Sequence, residues 1–308
     1  MTGMVLDLSE DAREFGLAAL RAFEAAGGDQ LVQHAEAKPA IRESLVGPIL
    51  AGLGAWELDP RNDADGLEAA AALCRSAGYW AVPYPVAERL AAPTDLDVDG
   101  LLVVADVRPS AAVAGLGSRW AAVTLAGVRS QVIGQEASGP AFVTELELSA
   151  IDDNGAGDVA LALTLQCWTL LGMLDRAIEL TVAHVSLRKQ FGQTLSAFQS
   201  VQFQLTEAEV ERSGLDILAK YTLWSIGTGD AEALNDALAL RMSAIEAAEV
   251  VFRVCHQLHG AVGFCDETTL SWLSRYSQPL RRLPSGVSAT RDLLTRRVGA
   301  AGLKGLFA

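Results

Sequence analysis

The sequence predicts a mostly α chain with a small β-domain in its middle. The order is an N-terminal helical unit (1–95), a short β-domain (96–150) and a C-terminal antiparallel bundle of the four-helix kind (151–308). Three observations carry this. Apolar residues recur at helical spacing through the first ninety residues. Between Leu96 and Ser149 the texture changes to short Val, Leu and Ala runs with stretches of alternation. From Asp158 onward long helical periodicity returns, broken only by short turns.

In the first unit, Phe15, Leu17, Leu20 and Phe23 share one face between Ser9 and Ala26, with Ser9 placed to cap the start and Gly27-Gly28 to stop the end. Similar patterns run from Ile41 to Leu53 and from Asp65 to Ala77, and the prolines between Pro83 and Pro93 close the unit. In the middle, Leu101 to Ala105 and Ala121 to Leu125 are apolar runs of strand length, and Phe142 to Leu148 alternates. The bundle is predicted as helices over 158–187, 195–226, 231–258, 267–280 and 287–298. Its most apolar run, Val159 to Leu174, is interrupted by Thr164, Gln166 and Thr169. It falls short of the about 20 residues a membrane span needs, so it is expected to be a buried helix.

A chain of 308 residues with 50% hydrophobic side chains can bury a large core, which excludes a disordered chain. The net charge of −14 repels phosphate backbones and anionic lipid, so neither nucleic acid nor membrane is an expected partner. Beyond Leu270 the balance reverses: Arg275, Arg281, Arg282, Arg291, Arg296, Arg297 and Lys304 face only Asp292. This end either meets an anionic cofactor or partner, or presents solvated arginines on helix faces. No export pattern opens the sequence, and a cytoplasmic location is expected. Cys74, Cys167, Cys255 and Cys265 form no CxxC pair, which argues against a disulfide scaffold or a structural zinc.

Two segments carry the chemistry. The first, Arg188-Lys189-Gln190-Phe191-Gly192-Gln193-Thr194-Leu195-Ser196-Ala197-Phe198-Gln199, lies between two predicted helices, with Gly192 free to adopt a turn conformation. Arg188 offers a rigid fork of donors matched to a pyrophosphate, Gln190 and Gln199 offer amides, and Phe191 offers a flat apolar surface; the other reading is that Arg188 and Gln199 cap helices and Phe191 plugs an interface. The second, Gln257-Leu258-His259-Gly260-Ala261-Val262-Gly263-Phe264, ends a helix with glycines that allow close backbone approach, as an adenine pocket or a helix C-cap requires. His256 and His259 have no third ligand at metal-binding spacing, so His259 is expected to hydrogen-bond within the turn.

Together these segments resemble the acyl-CoA dehydrogenase family. The resemblance implies that the first segment reaches across a subunit interface to the pyrophosphate and adenosine of FAD, and that the second completes the adenine site. It assigns Arg188, Gln190, Phe191, Gly192, Gln199, Gln257, Gly260 and Ala261 to cofactor binding. Most relatives have glycine where Ala261 stands. The family's chemistry needs a carboxylate base to take the α-proton of an acyl-CoA while flavin accepts the β-hydride. Both places where relatives keep that carboxylate are filled otherwise here, by Pro284 and by Ala162, so no catalytic residue is assigned. Asp158 and Glu267 are the conceivable substitutes. The segments with which relatives cradle the isoalloxazine ring are also missing between Leu96 and Ser149.

The chain resembles most the shorter, base-lacking subunit of the α2β2 acyl-CoA dehydrogenases of bacterial steroid degradation. This implies a catalytic acyl-CoA dehydrogenase subunit as partner, a steroid-derived CoA thioester as substrate and an electron-transfer flavoprotein as acceptor. Two other readings stand beside it: a self-sufficient dehydrogenase with a displaced base, and a flavin-free assembly subunit.

Overall fold

The computed structural model describes residues 7–136 and 139–302. Helix α1 (Glu10–Ala25) starts where Ser9 Oγ accepts the Ala12 N–H at 3.3 Å, satisfying one of the four donors a helix start leaves free. Its buried stripe of Ala12, Gly16, Ala19 and Phe23 packs on α4 (Ala64–Tyr79). Between them run α2 (Gln30–Ala37) and α3 (Arg42–Gly52), and a short α5 (Val86–Leu90) follows within the proline-rich stretch. Neither α2 nor α5 is foreshadowed by the pattern: at 8 and 5 residues they are too short for a period to show.

Five strands form one sheet in the order β1-β3-β4-β5-β2: β1 (Gly100–Val104), β2 (Ser110–Ala111), β3 (Trp120–Thr124), β4 (Arg129–Gln135) and β5 (Thr144–Asp152). Strands β1 and β3 are parallel, Gly100 opposite Trp120, and buried at every position, which is why they read as unbroken apolar runs. Strand β4 is absent from the prediction. Its Gln131, Val132 and Ile133 do not alternate cleanly, and its pairing with β5 shifts register twice. Arg42 ties the helical unit to this layer. Buried at the start of α3, it donates to the carbonyls of Pro83 (2.7 Å), Ala114 (2.7 Å) and Ala112 (3.0 Å) and lies 4.1 Å from the Phe142 ring centroid.

The bundle is α6 (Ala156–Leu187), α7 (Gln199–Gly227), α8 (Ala233–His259) and α11 (Val287–Ala301), with a small hairpin, β6 (Lys189–Gln190) and β7 (Gln193–Thr194), between α6 and α7. Helix α6 is long and apolar enough to cross a membrane, yet 89% of its most apolar stretch is buried inside the fold, as the expected core helix. It crosses α4 so closely that glycines are needed on both sides. A Cβ at Gly78 would lie 1.8 Å from Thr169 O, and one at Gly172 would lie 1.9 Å from Arg75 O.

Two predicted helices change their bounds. The segment 267–280 divides into α9 (Thr269–Tyr276) and α10 (Gln278–Arg282) at Ser277, because Pro279 has no N–H with which to continue the helical ladder. The helix placed over 195–226 starts at Gln199, since Leu195–Ala197 forms a separate 3₁₀ turn and Phe198 is extended.

Candidate functional site

Arg188 is the C-cap residue of α6, with extended backbone, and the chain then folds straight back. Lys189 pairs with Thr194 and Gln190 with Gln193, while the Leu195 N–H donates to Arg188 O at 2.8 Å. The two tip residues, Phe191 (φ 51°) and Gly192 (φ 84°), are both left-handed, as in a two-residue type I′ turn. Glycine takes that conformation freely, whereas Phe191 bears a cost of about 1–2 kcal/mol. The residue is nevertheless 92% exposed, its ring held edge-on to Phe198 with centroids 6.3 Å apart. A large aromatic held in a strained backbone and aimed outward fits a contact made with another molecule.

The second segment lies beside the root of this hairpin. His259 stacks on His184, one turn before Arg188, with centroids 4.4 Å apart. Its Nδ1–H donates to Cys255 O at 2.9 Å, the local hydrogen bond expected of it. His256 stacks on Phe264 at 4.3 Å. Desolvation holds all three imidazoles below their ordinary range, reinforced at His184 by the Arg188 charge. Gly260 ends α8 with φ 66° and ψ −149°, and no atom lies within 4 Å of where its Cβ would stand.

Arg188, Gln190, Phe191, Gly192, Gln199, Gln257, Gly260 and Ala261 are all exposed. The guanidinium of Arg188 and the amides of Gln190, Gln199 and Gln257 make no side-chain hydrogen bond among the described residues. The set therefore presents one fork of charged donors, amides and open backbone, a composition suited to the pyrophosphate and adenosine of FAD. Nothing in it suits an isoalloxazine ring, so the fit extends to one half of the cofactor.

The other end of the chemistry is a corner where α3, α4, α5, β1, α6 and α10 meet around a cavity of about 100 Å³. Pro284 is buried just beyond the wall residue Leu283, and Ala162 is buried one helical turn before the wall residue Gln166. The Leu283–Gly286 loop is pinned from within by Arg241. Only 1% exposed, it donates to Leu280 O (3.1 Å), Ser285 O (2.9 Å) and Leu283 O. The substitute carboxylates lie elsewhere. Asp158 is gripped by Arg61 at 2.6 Å with Arg129 at 3.6 Å, and Glu267 is exposed beyond the α8 turn. One carboxylate does line the cavity, that of Glu88, hydrogen-bonded to Gln166 Nε2 at 3.0 Å. Sequence reasoning missed it because Glu88 sits in a short helix with no motif around it. The Phe191-Gly192 tip, by contrast, had a readable signal in its X-Gly pair.

Comparison with known proteins agrees with this geometry. Residues 164–297 match the family described as acyl-CoA dehydrogenase, C-terminal domain. Acyl-CoA dehydrogenase FadE28 of Mycobacterium tuberculosis is 34% identical over 128 residues, which is 41% of this chain and 37% of that protein. The aligned segment thus spans little more than a third of that relative. Among solved structures, the Tcur3481-Tcur3483 steroid ACAD superposes with a TM-score of 0.79 at 19% identity, over 96% of this chain and 100% of that one. The ChsE4-ChsE5 complex from Mycobacterium tuberculosis gives 0.73 at 16% identity, over 98% and 100%. Residues 164–297 thus match the C-terminal domain of the acyl-CoA dehydrogenase family, and the chain as a whole shares the fold of these solved structures. This is a family of FAD-dependent oxidoreductases acting on CH–CH bonds.

Proposed function

We propose that this chain is the base-lacking subunit of a heteromeric, FAD-dependent acyl-CoA dehydrogenase, cytoplasmic and built as an α2β2 assembly with a catalytic sister chain. The observation that carries the reading is a division. The hairpin and the Gly260 turn stand together and exposed, which supports an ADP-binding role, while the two base positions hold Pro284 and Ala162. Bound across such an interface, FAD supplies the hydride acceptor for α,β-desaturation of the acyl thioester. This chain's own residues bind and orient: Arg188 clamps the pyrophosphate, Gln190, Gln199 and Gln257 hold the nucleotide's polar edges, Gly260 and Ala261 let it approach backbone, and Phe191 packs against the sister chain. The α-proton is taken by a carboxylate of that chain.

A steroid-derived CoA thioester is the substrate class, supported by the name of the Tcur3481-Tcur3483 steroid ACAD, and an electron-transfer flavoprotein is the acceptor. The two-chain names of that protein and of the ChsE4-ChsE5 complex support the heteromer. The test is flavin content and oligomeric state of the chain purified alone and with a co-expressed full-length acyl-CoA dehydrogenase. A colourless chain that gives a yellow mixed tetramer only with its sister is the expected result. Arg188→Ala is expected to weaken FAD retention by about tenfold to a hundredfold, the range of one charge-assisted hydrogen-bonding group. Stoichiometric FAD on the lone chain, or full flavin content in the Arg188→Ala tetramer, overturns the proposal.

A further inference from the structure

The outer face of α7 has no place in the function just described. The helix buries a line through Val201, Ala208, Leu215, Ala219 and Thr222. With about 100° of turn per residue, the opposite face runs from Phe203 through Val210 and Ile217 to Trp224, and no charged residue falls on it. Phe203, Val210 and Ile217 are 64%, 61% and 60% exposed, and a Cβ at Gly214 between them would have no atom within 4 Å. The solvent face of a helix is ordinarily polar, whereas apolar side chains repeating every seven residues are the pattern of a helix that packs along another. The charges on the flanks of this stripe are engaged within the chain: Glu207 with Arg253 at 2.8 Å, Glu209 with Arg212 at 2.6 Å and Lys220 with Asp216 at 2.9 Å. A net charge of −14 turns the molecule away from anionic lipid, so the stripe calls for a protein partner.

The order of side chains along the stripe points to which partner. It is symmetric in kind about the midpoint of Ser213 and Gly214. The small pair stands at the centre, the β-branched Val210 and Ile217 flank it at equal distance, the hydroxyl-bearing Thr206 and Tyr221 come next, and the aromatic Phe203 and Trp224 close the two ends. A face with that symmetry is complementary to itself when an identical helix runs antiparallel across it, which is what a two-fold axis requires. We propose that this face docks a second copy of the chain, the two α7 helices crossing antiparallel at Gly214. Val210 of one copy then meets Ile217 of the other, and Phe203 meets Trp224. A seven-residue repeat drifts by about 20° per heptad on a straight helix, so the stripe runs obliquely and the crossing is shallow. From Phe203 to Trp224 the stripe is about 32 Å long, and at about 10 Å in width it hides on the order of 300 Å² per copy, under half the about 800 Å² of a standard interface. The contact is therefore reversible in the lone chain. In an α2β2 assembly, which rests on the subunit reading, it joins the two halves.

The experiment is sedimentation equilibrium of the full chain alone, from about 1 µM to about 500 µM, at about 0.15 M salt, where repulsion between two chains of net charge −14 is screened. A reversible monomer–dimer equilibrium is expected. Val210→Glu and Ile217→Lys each set a charge against an apolar side chain of the other copy, and each is expected to weaken the dimer by about a hundredfold. Combined in one chain, they place every new carboxylate opposite a new ammonium of the other copy, so the double variant is expected to regain at least about tenfold over either single one. A parallel pairing or an unrelated partner gives no such rescue. Both positions are exposed, so the variants keep the parent fold, which circular dichroism checks. A chain that stays monomeric over the whole range, single variants that dimerise like the parent, or a double variant no better than the singles would each overturn the proposal. Neither flavin nor a sister chain enters the measurement, so such a failure leaves the subunit proposal standing.

Discussion

Replacing Gly172 by alanine puts a methyl where α4 and α6 touch backbone to backbone. The new Cβ would stand 1.9 Å from Arg75 O, with Tyr79 N at 2.8 Å, against an ordinary contact of 3.4 Å or more. The helices must therefore move apart by about 1.5 Å, and no flexible side-chain end is available to yield instead. Helix α6 is the buried axis of the fold, so separation loosens Leu73, Cys74 and Ala77 against Trp168, Leu171 and Leu174 at once. Overpacking a dense core costs about 1–3 kcal/mol, occasionally more, and a backbone clash of this depth belongs at the upper end, about 3 kcal/mol. With an unfolding entropy of about 2.1 cal/mol/K per residue, that corresponds to a fall in Tm of about 5 °C for this chain. The assay is calorimetry with a urea titration beside it. Gly78→Ala is expected to behave alike, since its Cβ would stand 1.8 Å from Thr169 O. A Tm within 1 °C of the parent for both variants would refute the reasoning, because it would mean that the crossing does not need its glycines.

Three further outcomes are expected. Arg241→Met removes the donor shared by Leu280, Leu283 and Ser285 carbonyls and is expected to cost about 3 kcal/mol by urea denaturation, since those carbonyls lose their partner inside the protein. Phe191→Asn exchanges a strained residue for one that accepts a left-handed turn, so the lone chain should gain about 1 kcal/mol, while assembly with a sister chain, read by analytical ultracentrifugation, should weaken. His184, His256 and His259 are held below their ordinary range, so the unfolded chain takes up their protons first as pH falls. Stability is therefore complete above the unfolded imidazole value of about 6.5 and declines below it until the folded forms protonate as well. A urea midpoint that does not fall between pH 7.5 and pH 5.5 would contradict this, and His184→Phe should flatten the decline.

The ends of α1 were legible because Ser9 and the Gly27-Gly28 pair are local signals, and the long bundle helices because a 3.6-residue period repeats many times in each. Strands β1 and β3 were legible as apolar runs because both of their faces are covered. Strand β4 was not, since its partner β5 and two register shifts hold it in place rather than its own alternation. The division at Ser277 turned on one missing N–H at Pro279, a local fact outweighed by the surrounding periodicity. The same boundary separates the two sites. Residues from Arg188 to Gln199 and from Gln257 to Phe264 are contiguous in the chain, so their donors and glycines could be read together, as the proposed nucleotide surface, before any fold was known. Their convergence through the His184–His259 stack, and the left-handed tip that exposes Phe191, were decided by the packing of α6 on α8. The Glu88 cavity was invisible in sequence. Its walls come from seven separate stretches of chain, and how a carboxylate there is partnered depends on neighbours that only tertiary structure supplies.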